Sequence, residues 1–172
     1  MRRPETTEYH PALANYISLV PESDIIATLS SQLAVTKALL ASVDAGREGH
    51  RYAPGKWSIR EVVGHMADGE RVFGYRAFVI ARGETQPLHS FDEGSYVAAS
   101  DYDRWPFADL VDAFATQRHA NLLVLRSLAE DAWDRQGIAN GVSVTPRAIA
   151  YALVGHERHH GNVLRERYLE TR

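Results

Sequence analysis

The amino-acid sequence predicts an all-α protein, a four-helix bundle with a long crossover between its second and third helices. Three observations lead there. Four stretches of about twenty residues repeat apolar side chains at the period of one helix face. Each stretch opens on a capping residue or a proline. No convincing strand pattern interrupts them, Val142-Ser143-Val144 being too short to count as one. Amphipathic helices of matched length bury their stripes against one another, and four of them make a bundle. The 172 residues suit a single domain, by the usual size of ~100–200 residues. Its core is placed at about 21–169, and no repeat, low-complexity tract or linker divides residues 1–172.

The first helix is expected from about Ser23 to Val43, capped by Ser23 and carrying Ile26, Leu29, Leu33, Leu40 and Val43 on one face. The second opens on Ser58-Ile59-Arg60-Glu61, a capping box in which hydroxyl and carboxylate satisfy two free amides reciprocally. Val62, Met66, Phe73, Ala77 and Ile80 trace its stripe to about Arg82, with Gly83 to end it. The third starts near Pro106, a residue suited to the first helical turn, and ends between Ala129 and Gly137. Its stripe holds Phe107, Leu110, Phe114, Leu122 and Leu125, with Arg118 and Asn121 where leucine is expected. The fourth starts at Thr145-Pro146 and runs to about Tyr168. The connection from Gly83 to Trp105 is long enough to travel the bundle's height, so the second and third helices can be parallel. Phe91, Tyr96, Tyr102 and Trp105 make it too aromatic for a solvated linker.

Composition narrows the function. A net charge of −3 argues against nucleic-acid binding, which needs a clustered basic face. The absence of cysteine removes disulfides, thiolate metal ligands and a cysteine nucleophile. No apolar run approaches the ~18 residues of a membrane span, and the N-terminus lacks the apolar segment of a secretory signal. A cytoplasmic protein acting on a small molecule, with no membrane partner, is the expectation.

Of the eight histidines, two stand out. The inner face of the fourth helix reads Ile149, Leu153, His156, His160, Val163 and Leu164. Buried imidazoles need partners, and histidines one turn apart converge on a single metal ion. His65 falls within the inward arc of the second helix beside Val62, Gly69 and Val72. Gly69, one turn on, leaves space for an ion or ligand. Three neutral nitrogens from two helices leave coordination positions open, as catalysis requires. His159 lies about 60° from the His156 direction and reads as rim. His119 falls opposite the stripe of its helix.

These residues resemble a known family. Residues 56–71, from Lys56-Trp57-Ser58 through Gly64-His65-Met66-Ala67-Asp68 to Arg71, look like the second-helix signature of the DinB-like superfamily. Gly155-His156-Glu157-Arg158-His159-His160 looks like its fourth-helix signature, and Phe91-Asp92-Glu93-Gly94-Ser95-Tyr96 is similar to its middle segment. The similarity runs from about Pro21 to Leu169. It implies a bundle with a divalent metal, commonly zinc or nickel, on His65, His156 and His160. It also implies a homodimer and, by analogy with thiol-dependent members, a low-molecular-weight thiol as cosubstrate. Gly161-Asn162 departs from the family's frequent pattern after the histidine pair.

Three functions compete. A metalloenzyme could activate a small thiol for transfer to an electrophile, because a cation stabilises the thiolate. Arg118 and Asn121 are then candidates to contact a polar substrate or cofactor; buried hydrogen bonding is the plainer alternative. A small-molecule hydrolase could use Glu157 as general base, since residues 156–160 fit H-E-x-x-H. Glu157 is expected to border the site, about 100° around the helix from His156. A protease is discounted, because Val163 and Glu166 occupy the places of the extended motif's glycine and histidine. The third reading is a non-catalytic, metal-binding stress-response protein.

Overall fold

The computed structural model describes residues 1–169. The predicted helices appear as α2 (Ile25–Ala41), α3 (Ile59–Ala81), α5 (Phe107–Arg126) and α6 (Pro146–Val163), the last continuing as a wider turn over Leu164–Leu169. Two short helices accompany them: α1 (Ala14–Ser18) before the bundle and α4 (Glu93–Ser100) inside the crossover. Ser58 and Glu61 form the expected capping box, and Thr145 accepts from the Ala148 amide with Pro146 in the first turn. Two starts differ by one position. Asp24, not Ser23, caps α2 through the Ala27 amide, and Pro106 flanks α5 rather than beginning it.

The helices do not simply alternate in direction. Ile59–Met66 of α3 share a core cluster with Leu110–Ala115 of α5, and Phe73–Ile80 share another with Leu122 and Leu125. Position rises along both helices together, so α3 and α5 are parallel. Their parallel course requires the long connection, which returns past the start of α3: Tyr102 donates to Asp68. α6 runs against α3, with Ile149 and Leu153 beside Phe73 and Ala77 and Leu164 beside Ile59 and Val62.

Two segments depart from the sequence reading. Val142–Val144 is a strand, β2, paired antiparallel with β1 (Gly137–Ala139). The signal overlooked is Asn140-Gly141. Both have positive φ, 54° and 76°, which a two-residue hairpin turn demands and this dipeptide tolerates. The Leu88 amide donates to the Ile138 carbonyl and fastens the crossover to the hairpin. The residues before the predicted core also fold onto the bundle. Ile17 and Val20 are buried, and Gly155 of α6 lets α1 pass over it: a Cβ there would stand 2.0 Å from the Tyr16 carbonyl oxygen. Arg147 and Arg2 both pair with Glu8 and Asp134, tying the N-terminal segment to the start of α6.

The apolar core is thus two clusters, one at each end of the bundle. Between them lies a layer of buried polar side chains: Glu70, Arg118, Asn121 and Glu157, together with His65, His156 and His160.

Candidate metal centre

α3 and α6 cross so that their histidines meet. The Nε2 of His65 stands 2.9 Å from that of His156 and 3.1 Å from that of His160. All three residues are buried, and the three nitrogens form a group able to hold one metal ion. Gly69 makes the approach possible, since a Cβ there would lie 2.6 Å from Cε1 of His156. The space left by this glycine is occupied by the imidazole itself. Aromatic side chains pack the rings: Trp57 is tilted against His65, and Phe73 and Tyr16 meet His156 edge-on.

Burial keeps these imidazoles neutral. It lowers His65 to about 4, against the opposing pull of Asp68. His156 and His160 are also pushed well below the usual range by burial and by the neighbouring histidines. A neutral imidazole turns a lone pair or an N–H toward its neighbour. Three Nε2 atoms facing one point cannot all be satisfied among themselves. A divalent cation suits the arrangement, because two imidazole nitrogens, each about 2.0–2.1 Å from an ion, are themselves about 3 Å apart. The donor set therefore fits a borderline divalent transition metal.

His65 and His156 open onto a cavity of about 250 Å³ lined also by Phe73, Arg76, Tyr16 and Glu93, among others. Its remaining wall comes from the hairpin and the N-terminal segment. Burial, with Glu93 nearby, raises the Tyr16 hydroxyl above its usual value. Neither Arg76 nor Tyr16 was singled out in the sequence. Arg76 lies three turns beyond His65 on the same helix face, a spacing the sequence does carry. Tyr16 comes from a segment with too little periodicity to place.

Glu157, Arg118 and Asn121 stand elsewhere. Glu157 is on the other side of α6, pairing with Arg118 at 2.6 Å and facing Thr36 of α2. It lines a separate cavity beside α2, with none of the three histidines. The expectation that it borders the metal site is corrected: one step along a helix turns the side chain by about 100°, and Arg118 draws the carboxylate into the bundle. Burial raises the Glu157 carboxyl against the pull of Arg118. Arg118 is fully buried, pairs with Glu70 at 2.5 Å and donates to the Leu29 carbonyl. Asn121 donates to the Glu70 carbonyl and carboxylate. Both are absorbed in the polar layer rather than presented to the histidine cavity. His119 is exposed on α5, and His159 is exposed at the rim against Tyr16.

Fold and site together define a helical-bundle protein with a candidate three-histidine metal centre. The chain belongs to the DinB superfamily, whose family model matches residues 28–164. Among solved structures it is similar to YfiT from Bacillus subtilis, described as a probable metal-dependent hydrolase with an unusual four-helix bundle topology. That match has a TM-score of 0.77 at 19% identity, over 92% of this chain and 91% of that one. It is also similar to the mycothiol-dependent maleylpyruvate isomerase, with a TM-score of 0.70 at 15% identity, over 85% of this chain but 61% of that one. A DinB-like protein from Bacillus subtilis, YjoA, matches with a TM-score of 0.60 at 22% identity, over 83% and 87%. At these identities the likeness is one of fold. No curated protein sequence matches.

Proposed function

We propose that the chain is a metal-dependent enzyme that activates an exogenous low-molecular-weight thiol for transfer to a small electrophile. The observation carrying this reading is the convergence of three neutral imidazole nitrogens on one point at a cavity wall, with Glu157 turned away. His65, His156 and His160 would hold the ion. A divalent cation held there supplies a charge that stabilises a bound thiolate. The chain's own part is to keep the three imidazoles neutral by burial and to fix the rings by packing. Phe73, Phe91, Val142 and Ile149 give the adjoining cavity apolar walls. The structural likeness to a mycothiol-dependent enzyme supports the thiol.

A second reading, metal-assisted hydrolysis of a small molecule, is favoured by one observation. Glu93 is the carboxylate that lines the histidine cavity among the described residues, and the likeness to YfiT agrees with this class. Here the general base would be Glu93 rather than Glu157.

The experiment is metal analysis of protein purified without added metal or a histidine tag, followed by a panel of electrophiles with and without thiols. One equivalent of divalent metal is expected, lost in His65→Ala and kept in His119→Ala. Thiol-dependent turnover supports transfer. Thiol-free hydrolysis that falls with Glu93→Gln by the 10²–10⁴-fold typical of a lost general base supports the second reading. Full metal occupancy in His65→Ala overturns both.

A further inference from the structure

Arg76 is a buried cation with no counter-charge. It is 6% exposed, yet no carboxylate among the described residues pairs with it. Its contacts are two neutral acceptors, both on Nη2: the His89 carbonyl at 2.7 Å and the Asn140 Oδ1 at 3.1 Å. The rest of its N–H set has no protein acceptor among the described residues, and the side chain lines the same cavity as His65 and His156. The other buried arginines behave differently: Arg118 pairs with two carboxylates and Arg147 with two. Burying a guanidinium without an anion is costly, and burial lowers Arg76 from its usual value with no charged neighbour to restore it. The contacts to the crossover and hairpin hold the group in place, so little freedom is lost when an anion binds.

We propose that Arg76 is the carboxylate-recognition residue of the cavity, and that the substrate is a small monocarboxylate with an apolar body. Resting on the metal-enzyme reading, this names the substrate class for that site. Arg76 and His65 stand three turns apart on one face of α3, about 16 Å along the axis. Phe73 lies between them and packs edge-on to His156. Phe91, Ile149 and Val142 add apolar surface to the same space. A molecule anchored at Arg76 by its carboxylate therefore lays an apolar body along Phe73 and turns its other end to the histidines. A single guanidinium matches a single negative charge, and the Nη1 hydrogens left without a protein acceptor among the described residues can donate to a carboxylate.

The test titrates acetate, isovalerate, benzoate and cinnamate, and their amides, into the wild-type protein, Arg76→Gln and Arg76→Lys. Each protein is measured zinc-loaded and zinc-free by calorimetry. At least one carboxylate is expected to bind the wild type about tenfold or more tightly than its amide, as for a hydrogen bond to a charged group. The preference disappears in Arg76→Gln and is reduced in Arg76→Lys, with or without zinc. Arg76→Lys keeps the charge without the planar fork and decides the matter if Arg76→Gln does not fold. An equal affinity for acids and amides in the wild type, or an unchanged preference in either variant, overturns the proposal. So does tighter binding of phenyl phosphate than of every carboxylate. Failure of zinc to bind would refute the metal reading alone, because the zinc-free titrations still measure Arg76.

Discussion

His65 occupies the middle of the histidine group, within hydrogen-bonding distance of both partners. Its burial gives the metal-free protein a defined pH response. The folded value of about 4 lies below the ordinary ~6.5 of an unfolded histidine. Between these limits the unfolded chain binds more protons, so stability rises with pH. It is fully present above pH ~6.5 and is lost as pH falls toward 4. His156 and His160 act in the same direction. The urea midpoint of chelator-treated protein should therefore be lower at pH 5 than at pH 7.5, and equal midpoints would contradict the buried neutral state. The histidines themselves were legible in the sequence, because one helical turn separates two of them and an inward arc holds the third. Arg76 was not, since one charged residue beside an apolar stripe looks like a solvated one until its neighbours are known.

At the scale of the element, α6 presents different chemistry on adjacent positions. His156 faces the cavity shared with α3, and Glu157 faces Arg118 in the bundle interior. Glu157→Gln should keep the metal, measured by elemental analysis, and retain activity within about tenfold, a barrier change of ~1.4 kcal/mol or less. It should also cost about 1–3 kcal/mol of stability by urea unfolding, because Arg118 loses part of its charged partner set. A thousandfold loss of activity with metal bound would return Glu157 to the chemistry. The H-E-x-x-H spacing was legible and its meaning was not: the motif fixes positions along α6, whereas Arg118 on another helix decides where the carboxylate turns. The main helices were legible for the converse reason, their stripes and caps being local. The hairpin was not legible from strand length, each strand being three residues long; its signal lies in the positive φ of Asn140-Gly141. The N-terminal segment escaped because its placement depends on tertiary contacts at Gly155 and Glu8.

For the whole molecule, no described helix is long and apolar enough to cross a membrane. Several large side chains are instead turned outward, including Leu123 at 70%, Tyr75 at 58% and Tyr96 at 53% exposure. Tyr75 and Tyr96 share one surface depression. A homodimer that covers part of this surface is the expected state, and light scattering at micromolar concentration should give about twice the 19.2 kDa of the chain. A monomer mass would refute it.

The buried polar layer has a consequence for how the helices find their alignment. Apolar stripes are forgiving: one leucine seats much like another if a helix slides by a turn, about 5.4 Å. Charges are not. Such a slip of α6 would part Glu157 from Arg118 and leave the buried Glu157 carboxylate unpaired, at a cost of about 3–5 kcal/mol. The same slip would carry one of His156 and His160 out of reach of His65, leaving two imidazoles where three now meet. One ratchet tooth therefore sets two gears, and a chain in which Glu157 has found Arg118 has already brought its three imidazoles into register.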